Sequence, residues 1–478
     1  MSIARTLATD SELLTRLRQM LDAGRVGAAR PLLNAALKLY PPGDDLADLE
    51  SRVLLREGRP AEACAVLDTA LARSPGAVAL WLARAVAREA AGDTQAAARD
   101  AAEAVVLAPS QPQAKAMLGA LLNQLGHHQD GRACLLEAVA AAGGEASYRV
   151  QLAAAQAACG DNAAADATLA DGIARAPAHV GLRTAAIVLR MRGGDFAGAE
   201  VLALAACADG VADACVFGLL GHARSSLGRH AEAGDAYAEA RKLAPDDPYV
   251  RHLAAAGGLA PDAGRASPDY VRVVFDGYAN RFDAHLIALG YRIPGVIRAA
   301  LAASRPDHGG GIGPVLDLGC GTGLLAVAAA DQTRGPWIGV DLSPGMLAEA
   351  AKRGVYAELH EADIERFLAE DSRMFPLIVA GDALPYFGDL HPLLRGVAAR
   401  LAPGGRFMFS VEQLATAEAT GRPWLLGHLG RYAHTDAHIE AAAEAAGLAV
   451  VARRTETVRM EIGLPVPGLL VTLARLAA

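Results

Sequence analysis

Glycine recurs at a fixed step of 34 residues, at Gly24, Gly58, Gly92, Gly126, Gly160, Gly194 and Gly228. Five positions after each stands a small residue: Ala29, Ala63, Ala97, Gly131, Ala165, Ala199 and Ala233. Twelve positions after each the pattern returns, at Ala36, Ala70, Ala104, Ala138, Gly172, Ala206 and Ala240. Seventeen positions on come Pro41, Pro75, Pro109, Gly143, Pro177, Val211 and Pro245. Such a period restricts the chain to architectures in which one supersecondary unit stacks on copies of itself. The unit reads as a helical hairpin. Its glycine ends the first helix, where a left-handed residue is cheapest. The small residues lie on the second helix, where neighbours approach closely, and the proline stops that helix before the next unit. Seven units over residues 10–247 predict an all-α superhelix with a concave face.

The stretch Leu243–Asp269 reads as a last capping helix followed by a Pro/Gly/Ala/Ser-rich joint. The expected organisation is a repeat domain over 1–258, a linker over 259–268 and a second domain over 269–478. Alanine supplies much of the 53% hydrophobic fraction and aromatics only 5%, which favours closely packed helices.

Several classes are disfavoured. A formal net charge of −8 leaves no general basic face for nucleic acid. No apolar run is long enough to span a membrane, and "MSIARTLATDSELLTRLRQ" lacks the apolar core of a signal peptide. The six cysteines are scattered, with no CxxC pair and no accompanying His cluster. They read as reduced thiols in a cytoplasmic protein, and no metal is expected.

Beyond the linker the pattern changes. Tyr270–Ala303 reads as two helices. Strands are then expected at Val315–Leu318, Trp337–Val340, Tyr356–His360, Leu377–Ala380 and Arg406–Val411, with helices between them. A helix over Thr435–Ala446 and strands at Leu448–Arg459 and Gly468–Leu473 close the domain. Alternation of this kind means a parallel sheet covered by helices on both faces, with ligands at the carboxyl ends of its strands.

The first strand runs into "VLDLGCGTG" (Val315–Gly323). Gly319, Gly321 and Gly323 depart from the G-x-G-x-x-G spacing of a dinucleotide fingerprint, and no Gly-Lys-Ser/Thr follows to make a phosphate loop. Asp341 ends the second strand, where an acid accepts hydrogen bonds from ribose hydroxyls. Asp363 follows the third strand, in reach of an adenine amine. Both acids also precede helices, so helix capping is the other role open to them.

Together these features resemble class I S-adenosylmethionine-dependent methyltransferases. "VLDLGCGTG", "GVDLSPGML" and "LAPGGRF" match that family's motifs over about residues 268–478. The hairpins of the first half resemble tetratricopeptide repeats, with Trp81 at that family's aromatic position. The whole chain resembles a group of bacterial methyltransferases with such repeats at the N-terminus. The fold implied is a tetratricopeptide superhelix followed by a Rossmann-like seven-stranded domain.

The resemblance implies S-adenosylmethionine as cofactor and S-adenosylhomocysteine as product. Gly319, Gly321 and Gly323 would let the backbone approach the cofactor, with Cys320 a small filler between them. Asp317 would orient the loop and the cofactor ammonium, and Asp341 would bind the ribose. Leu342 and Met346 would lie against the adenine, read at its edge by Asp363 and Ile364. Ala380, Gly381 and Asp382 would flank the transferable methyl. In "FDGYANRFDAHL" (Phe275–Leu286), Tyr278 and Arg281 are candidates for the methionine carboxylate.

Methyl transfer needs a base only if the nucleophile arrives protonated. "LGRYAHTDAHIE" lies where this fold builds a substrate lid and supplies His434 as candidate base, with Tyr432 beside it and Asp382 across the site. Arg431 is a candidate for an anionic substrate group, Tyr386 for substrate contact, and His391 is a weaker candidate. "GDALPYF" places Ala383 and Leu384 between Asp382 and Pro385, unlike the Asn/Asp-Pro-Pro-Tyr run of amino-methylating DNA enzymes. The function expected is methyl transfer to an oxygen or nitrogen nucleophile. The repeats would bind a protein or peptide partner, for which the acceptor itself is one candidate. The alternative is a small-molecule methyltransferase whose repeats serve oligomerisation or scaffolding.

Overall fold

The computed structural model describes residues 13–39, 43–276, 279–303, 311–415, 421–461 and 464–475. Internal contacts divide the chain into two compact units, Met1–Leu189 and Arg190–Ala478.

The first unit is built of helical hairpins. Asp44–Arg56 pairs with Pro60–Arg73, Val78–Ala90 with Thr94–Leu107, Pro112–Gln124 with His128–Ala141, and Ala146–Ala158 with Asn162–Arg175. At each joint the periodic glycine is left-handed, with φ of 72° at Gly58, 84° at Gly92 and Gly126, and 82° at Gly160. The small residues Ala63, Ala70, Ala97, Ala104 and Ala138 are fully buried. Where the pattern has Gly131 instead of alanine, an added Cβ would stand 2.7 Å from the Gly119 carbonyl oxygen. The period therefore encodes interhelical distance as well as helix length.

The second unit begins inside the array. It takes in the helices Phe196–Ala208, Ala214–Ser226, His230–Leu243 and Pro248–Ala256. The expected boundary near residue 258 therefore differs from the contact boundary at 189/190, because the last repeats pack on the sheet domain. His252 Nε2 lies 2.9 Å from the Gly430 carbonyl oxygen. The His230 ring stacks on His428 at 3.7 Å, and Ser225 Oγ donates to the His428 carbonyl at 3.3 Å. The expected linker is also tied down. Arg265 makes an antiparallel bridge with Phe387, and Ala266 N donates to Tyr386 O at 2.8 Å. The Gly264 carbonyl accepts from both Gly388 N and Asp389 N at 2.8 Å.

Among the described residues, helical stretches at Pro268–Asp276, Ala279–Ala288 and Ile293–Ala303 lie between the linker and the sheet, and residues 277–278 between the first two are outside the described set. The strands are β1 (Val315–Leu318), β2 (Trp337–Asp341), β3 (Tyr356–Glu361), β4 (Phe375–Ala380), β5 (Leu401–Gln413), β6 (Trp424–Leu426), β7 (Tyr432–His434), β8 (Leu448–Glu461) and β9 (Leu464–Arg475). The parallel set runs β3-β2-β1-β4-β5, then β9 joins β5 antiparallel and β8 joins β9. These are the seven strands the sequence leads one to expect. The short β6 and β7 are additional, a ribbon whose β7 pairs with the last two residues of β5. Alternation along β5 feeds both layers of core. Phe407 and Phe409 join Leu394 and Ile439 on one face, and Met408 joins Ile297 and Leu325 on the other. Among the described residues no helix is long and apolar enough to cross a membrane.

Candidate active site

A cavity of about 260 Å³ opens at the carboxyl ends of β1 to β4. Its floor is the turn after β1. The Gly319 and Cys320 amides both donate to the Val340 carbonyl, at 2.8 and 3.0 Å, so the turn is hung from β2. Gly319 and Gly321 have φ of 69° and 54°. A Cβ at Gly319 would meet the Ala383 Cβ at 2.5 Å, whereas at Gly321 the nearest atom would be Phe282 Cε1 at 3.8 Å. The space above Gly321 thus belongs to the cavity. Gly323 is not in the cavity wall; its left-handed backbone starts the helix Leu324–Ala329.

Three acids line this end. Asp317 is buried; its Oδ2 accepts from Tyr356 OH at 2.8 Å, while Oδ1 is buried with no hydrogen-bond partner. Burial pushes its carboxyl up to about 7, against the Tyr356 hydrogen bond and helped by the nearby Asp341 charge. Asp341 accepts from Gly321 N at 2.8 Å and Ser343 N at 2.9 Å, and burial raises its carboxyl too. Asp363 is the helix cap that sequence left open as its second role. Its Oδ1 accepts from Glu365 N and Arg366 N, at 3.1 and 3.2 Å. Its Oδ2 pairs with Arg265 Nη2 at 2.5 Å. Leu342, Met346, Ile364, Cys320 and Gly381 also line the cavity. Ala380 is buried within β4 and does not. Burial holds the Cys320 thiol well above its ordinary range, so it is no thiolate nucleophile.

The opposite wall is aromatic. Phe275 meets Phe282 and Tyr386 edge-on, at 5.8 and 5.5 Å between centroids. The two helices that carry Phe275 and Phe282 are pinned by acids. Ser343 Oγ donates to Asp276 and Thr322 Oγ1 to Asp283, both at 2.5 Å. Past Gly381 a charged cluster closes the cavity. Arg431 Nη2 reaches both Asp382 oxygens at 2.9 Å, and its Nε donates to Glu412 at 2.5 Å. Glu412 also takes Arg459 Nη2 at 2.9 Å. Asp382 has φ of 64°, a left-handed conformation unusual for a residue with a side chain; its amide is held by Ser410 Oγ at 2.9 Å. Arg431 Nη1 donates to Tyr386 OH at 3.4 Å. Of the expected residues, Arg431, Tyr386 and Asp382 are thus brought together beside the cofactor motifs.

His434 and Tyr432 are not, which corrects their expected place in catalysis. His434 is completely buried, its Nε2 2.7 Å from the Phe387 carbonyl oxygen, and burial lowers its imidazole to about 4. Tyr432 is buried and donates to Asp262 at 2.5 Å. Both sit in β7, where side chains alternate. Arg431, just before it, turns into the cavity while 432 and 434 turn into the core. His391 lies 2.7 Å from Asp389 Oδ1, outside the cavity wall. Tyr278 and the side chain of Arg281 lie outside the described residues. Sequence reasoning did not assign Arg265, Tyr291 or Arg459 to the site, yet all three line it. None belongs to a motif. Phe275 and Phe282 lay within a quoted segment, their aromatic character the only signal.

Fold and site are similar to those of S-adenosylmethionine-dependent methyltransferase domains, and the helical array before them is similar to tetratricopeptide repeats. Residues 315–405 match the family described as "Methyltransferase domain", and residues 216–247 match "Tetratricopeptide repeat". The demethylmenaquinone methyltransferase of Chlorobaculum parvum is 34% identical over 137 residues, 28% of this chain and 56% of that protein. The Ribosomal protein L11 methyltransferase of Xanthomonas campestris pv. campestris is 37% identical over 101 residues, 20% of this chain and 31% of that one. The chain thus spans 56% or less of the length of these two relatives. Among solved structures, a tetratricopeptide repeat protein from Parabacteroides merdae aligns with a TM-score of 0.42 at 18% identity, over 51% of this chain and 97% of that one.

Proposed function

We propose that this protein transfers the methyl group of S-adenosylmethionine to an oxygen or nitrogen of an acceptor bound at the Asp382 end of the cavity. The observation that carries the reading is the buried, unpartnered Oδ1 of Asp317 beside a glycine turn whose open side faces the same cavity as Asp341. The cofactor fits this wall, because it brings an ammonium, a sulfonium and ribose hydroxyls to a set of acids and bare backbone. When bound, it supplies a methyl group already activated by the sulfonium.

The remaining work falls to the chain's own residues. Asp317 takes the ammonium and Asp341 the ribose hydroxyls. Leu342, Met346 and Ile364 enclose the adenine, with Asp363 at its edge. Gly381 and Asp382 flank the reacting end. The displacement is in line, so the protein has to orient the acceptor and exclude water. Phe275, Phe282, Tyr291 and Tyr386 supply that dry wall. Asp382, held by Arg431, receives a proton from an acceptor that arrives as an alcohol, phenol or protonated amine.

The aromatic wall beside Arg431 and Arg459 fits a small acceptor that has an apolar body and a polar group. A second reading keeps the repeats in view: they bind a protein or peptide partner, and that partner presents the acceptor. The two relatives act, by their names, on a demethylmenaquinone and on a ribosomal protein, so both acceptor classes occur among similar proteins. Six unpaired cysteines fit a reducing compartment, and the reading places the protein in the cytoplasm.

The test is transfer of a labelled methyl group into cell extract by the full-length protein, with protein and small-molecule fractions counted separately. Label in the small-molecule fraction, lost in Asp382→Ala, is expected. Label in the protein fraction alone selects the second reading, and label in neither contradicts the transfer.

A further inference from the structure

The segment joining the repeats to the sheet domain contributes a side chain to the cavity. Arg265 and Ala266 line it, next to Asp363, Ile364 and Phe387. The backbone around them is fastened by Gly264 and Ala266 to the run Tyr386–Asp389. Those bonds alone would hold the segment in place. The arginine does something more. Its guanidinium lies over the Phe387 ring at 4.9 Å and bridges two carboxylates, Asp363 through Nη2 and Glu365 through Nη1.

Asp363 is the acid that the proposed cofactor reading sets against the adenine amine. Its Oδ1 is engaged by two amides of the helix it caps. Its Oδ2 therefore has to serve the base, and Oδ2 is the atom Arg265 holds. A carboxylate oxygen accepts more than one hydrogen bond. One guanidinium donor leaves a lone pair free and fixes the direction in which it points. We infer that Arg265 is a positioning residue of the cofactor site: it orients Asp363 toward the adenine, so the segment between repeats and domain is part of the cofactor-binding machinery. The inference rests on the cofactor reading above, and the arginine acts through Asp363 rather than on the reacting atoms.

A double-mutant cycle on the full-length chain tests it, with S-adenosylhomocysteine as the probe and calorimetry as the readout. Arg265→Met, which keeps the aliphatic stem on Phe387, is expected to weaken binding roughly tenfold, while in an Asp363→Asn background the same change costs less than about twofold. Thermal unfolding of each variant checks folding. If Arg265→Met does not fold, Arg265→Lys replaces it in both backgrounds. Lysine keeps the charge without the two-armed bridge, and an intermediate loss that vanishes with Asp363→Asn is expected. Wild-type affinity in the arginine variant, tighter binding, or two losses that simply multiply would overturn the inference. Failure of the wild-type chain to bind the probe at all would instead overturn the cofactor reading beneath it.

Discussion

The turn after β1 and the segment Gly427–His434 flank the same cavity, yet they are specified in opposite ways. The turn is local. Gly319 and Gly321 take left-handed backbone, and one neighbouring strand end, at Val340, holds their loop. The second segment is assembled from distant parts of the chain. His252 and Tyr270 face Gly430, His230 stacks on His428, and Asp262 takes the Tyr432 hydroxyl. A cofactor loop written in consecutive residues tolerates change elsewhere. A substrate wall braced by the last repeats does not, and the following expectations follow from that contrast.

The largest effect should come from where the repeats are cut. Deleting residues 1–258 removes His252 and Ala256 and uncovers Leu426, Tyr432 and Tyr270, all buried in the native unit. At about 1.5–3 kcal/mol for each large side chain uncovered, this approaches the stability of an ordinary domain, and the product should be insoluble or unfolded. A deletion of residues 1–194 keeps the whole second unit apart from the end of one helix. It should unfold cooperatively near the full-length temperature, as thermal denaturation can show. Equal behaviour of the two truncations would erase the contrast.

His434→Ala comes next. Its Nε2 bond to Phe387 and its complete burial predict a loss of about 2–3 kcal/mol on chemical denaturation. Cofactor binding at low temperature should survive. A folded variant that has lost all transfer while keeping cofactor affinity would return His434 to the chemistry.

The legibility of the sequence follows the same division. The hairpin period, the positions of the strands around "VLDLGCGTG" and the strand-end placement of the acids at 341 and 363 were readable because each depends on neighbours a few residues away. Asp363 was readable as a helix cap, since it immediately precedes the helix Ile364–Glu370. The placement of His434 was not readable, because Ala433 and His434 of β7 pair with the last two residues of β5. That pairing, absent from local pattern, decides which of Arg431 and Tyr432 turns inward. Arg265 was hidden for a related reason: a Pro/Gly/Ala/Ser-rich stretch reads as a passive joint until its backbone is seen paired with Tyr386–Asp389.

A smaller effect tests the turn electrostatically. Below about 7 the free Asp317 carboxyl holds a proton, which an incoming ammonium has to displace. Affinity for S-adenosylhomocysteine should therefore rise several-fold from about pH 5.5 to 7.5, below the range where an α-amino group loses its charge. Asp317→Asn should bind weakly and flatten that slope. A slope unchanged by the substitution would assign the titration to another group. Smallest of all, Cys320→Ala should change affinity by less than about twofold, since its thiol stays protonated and serves as packing.

The central claim is that the cavity is built for S-adenosylmethionine, and calorimetric titration of the full-length protein with that cofactor tests it most directly. One-to-one binding is predicted, with Asp341→Ala weakened about a hundredfold or more, as expected when two charge-assisted hydrogen bonds to ribose are lost. No heat of binding in the wild-type protein, or an Asp341→Ala variant that binds as tightly, would contradict the account.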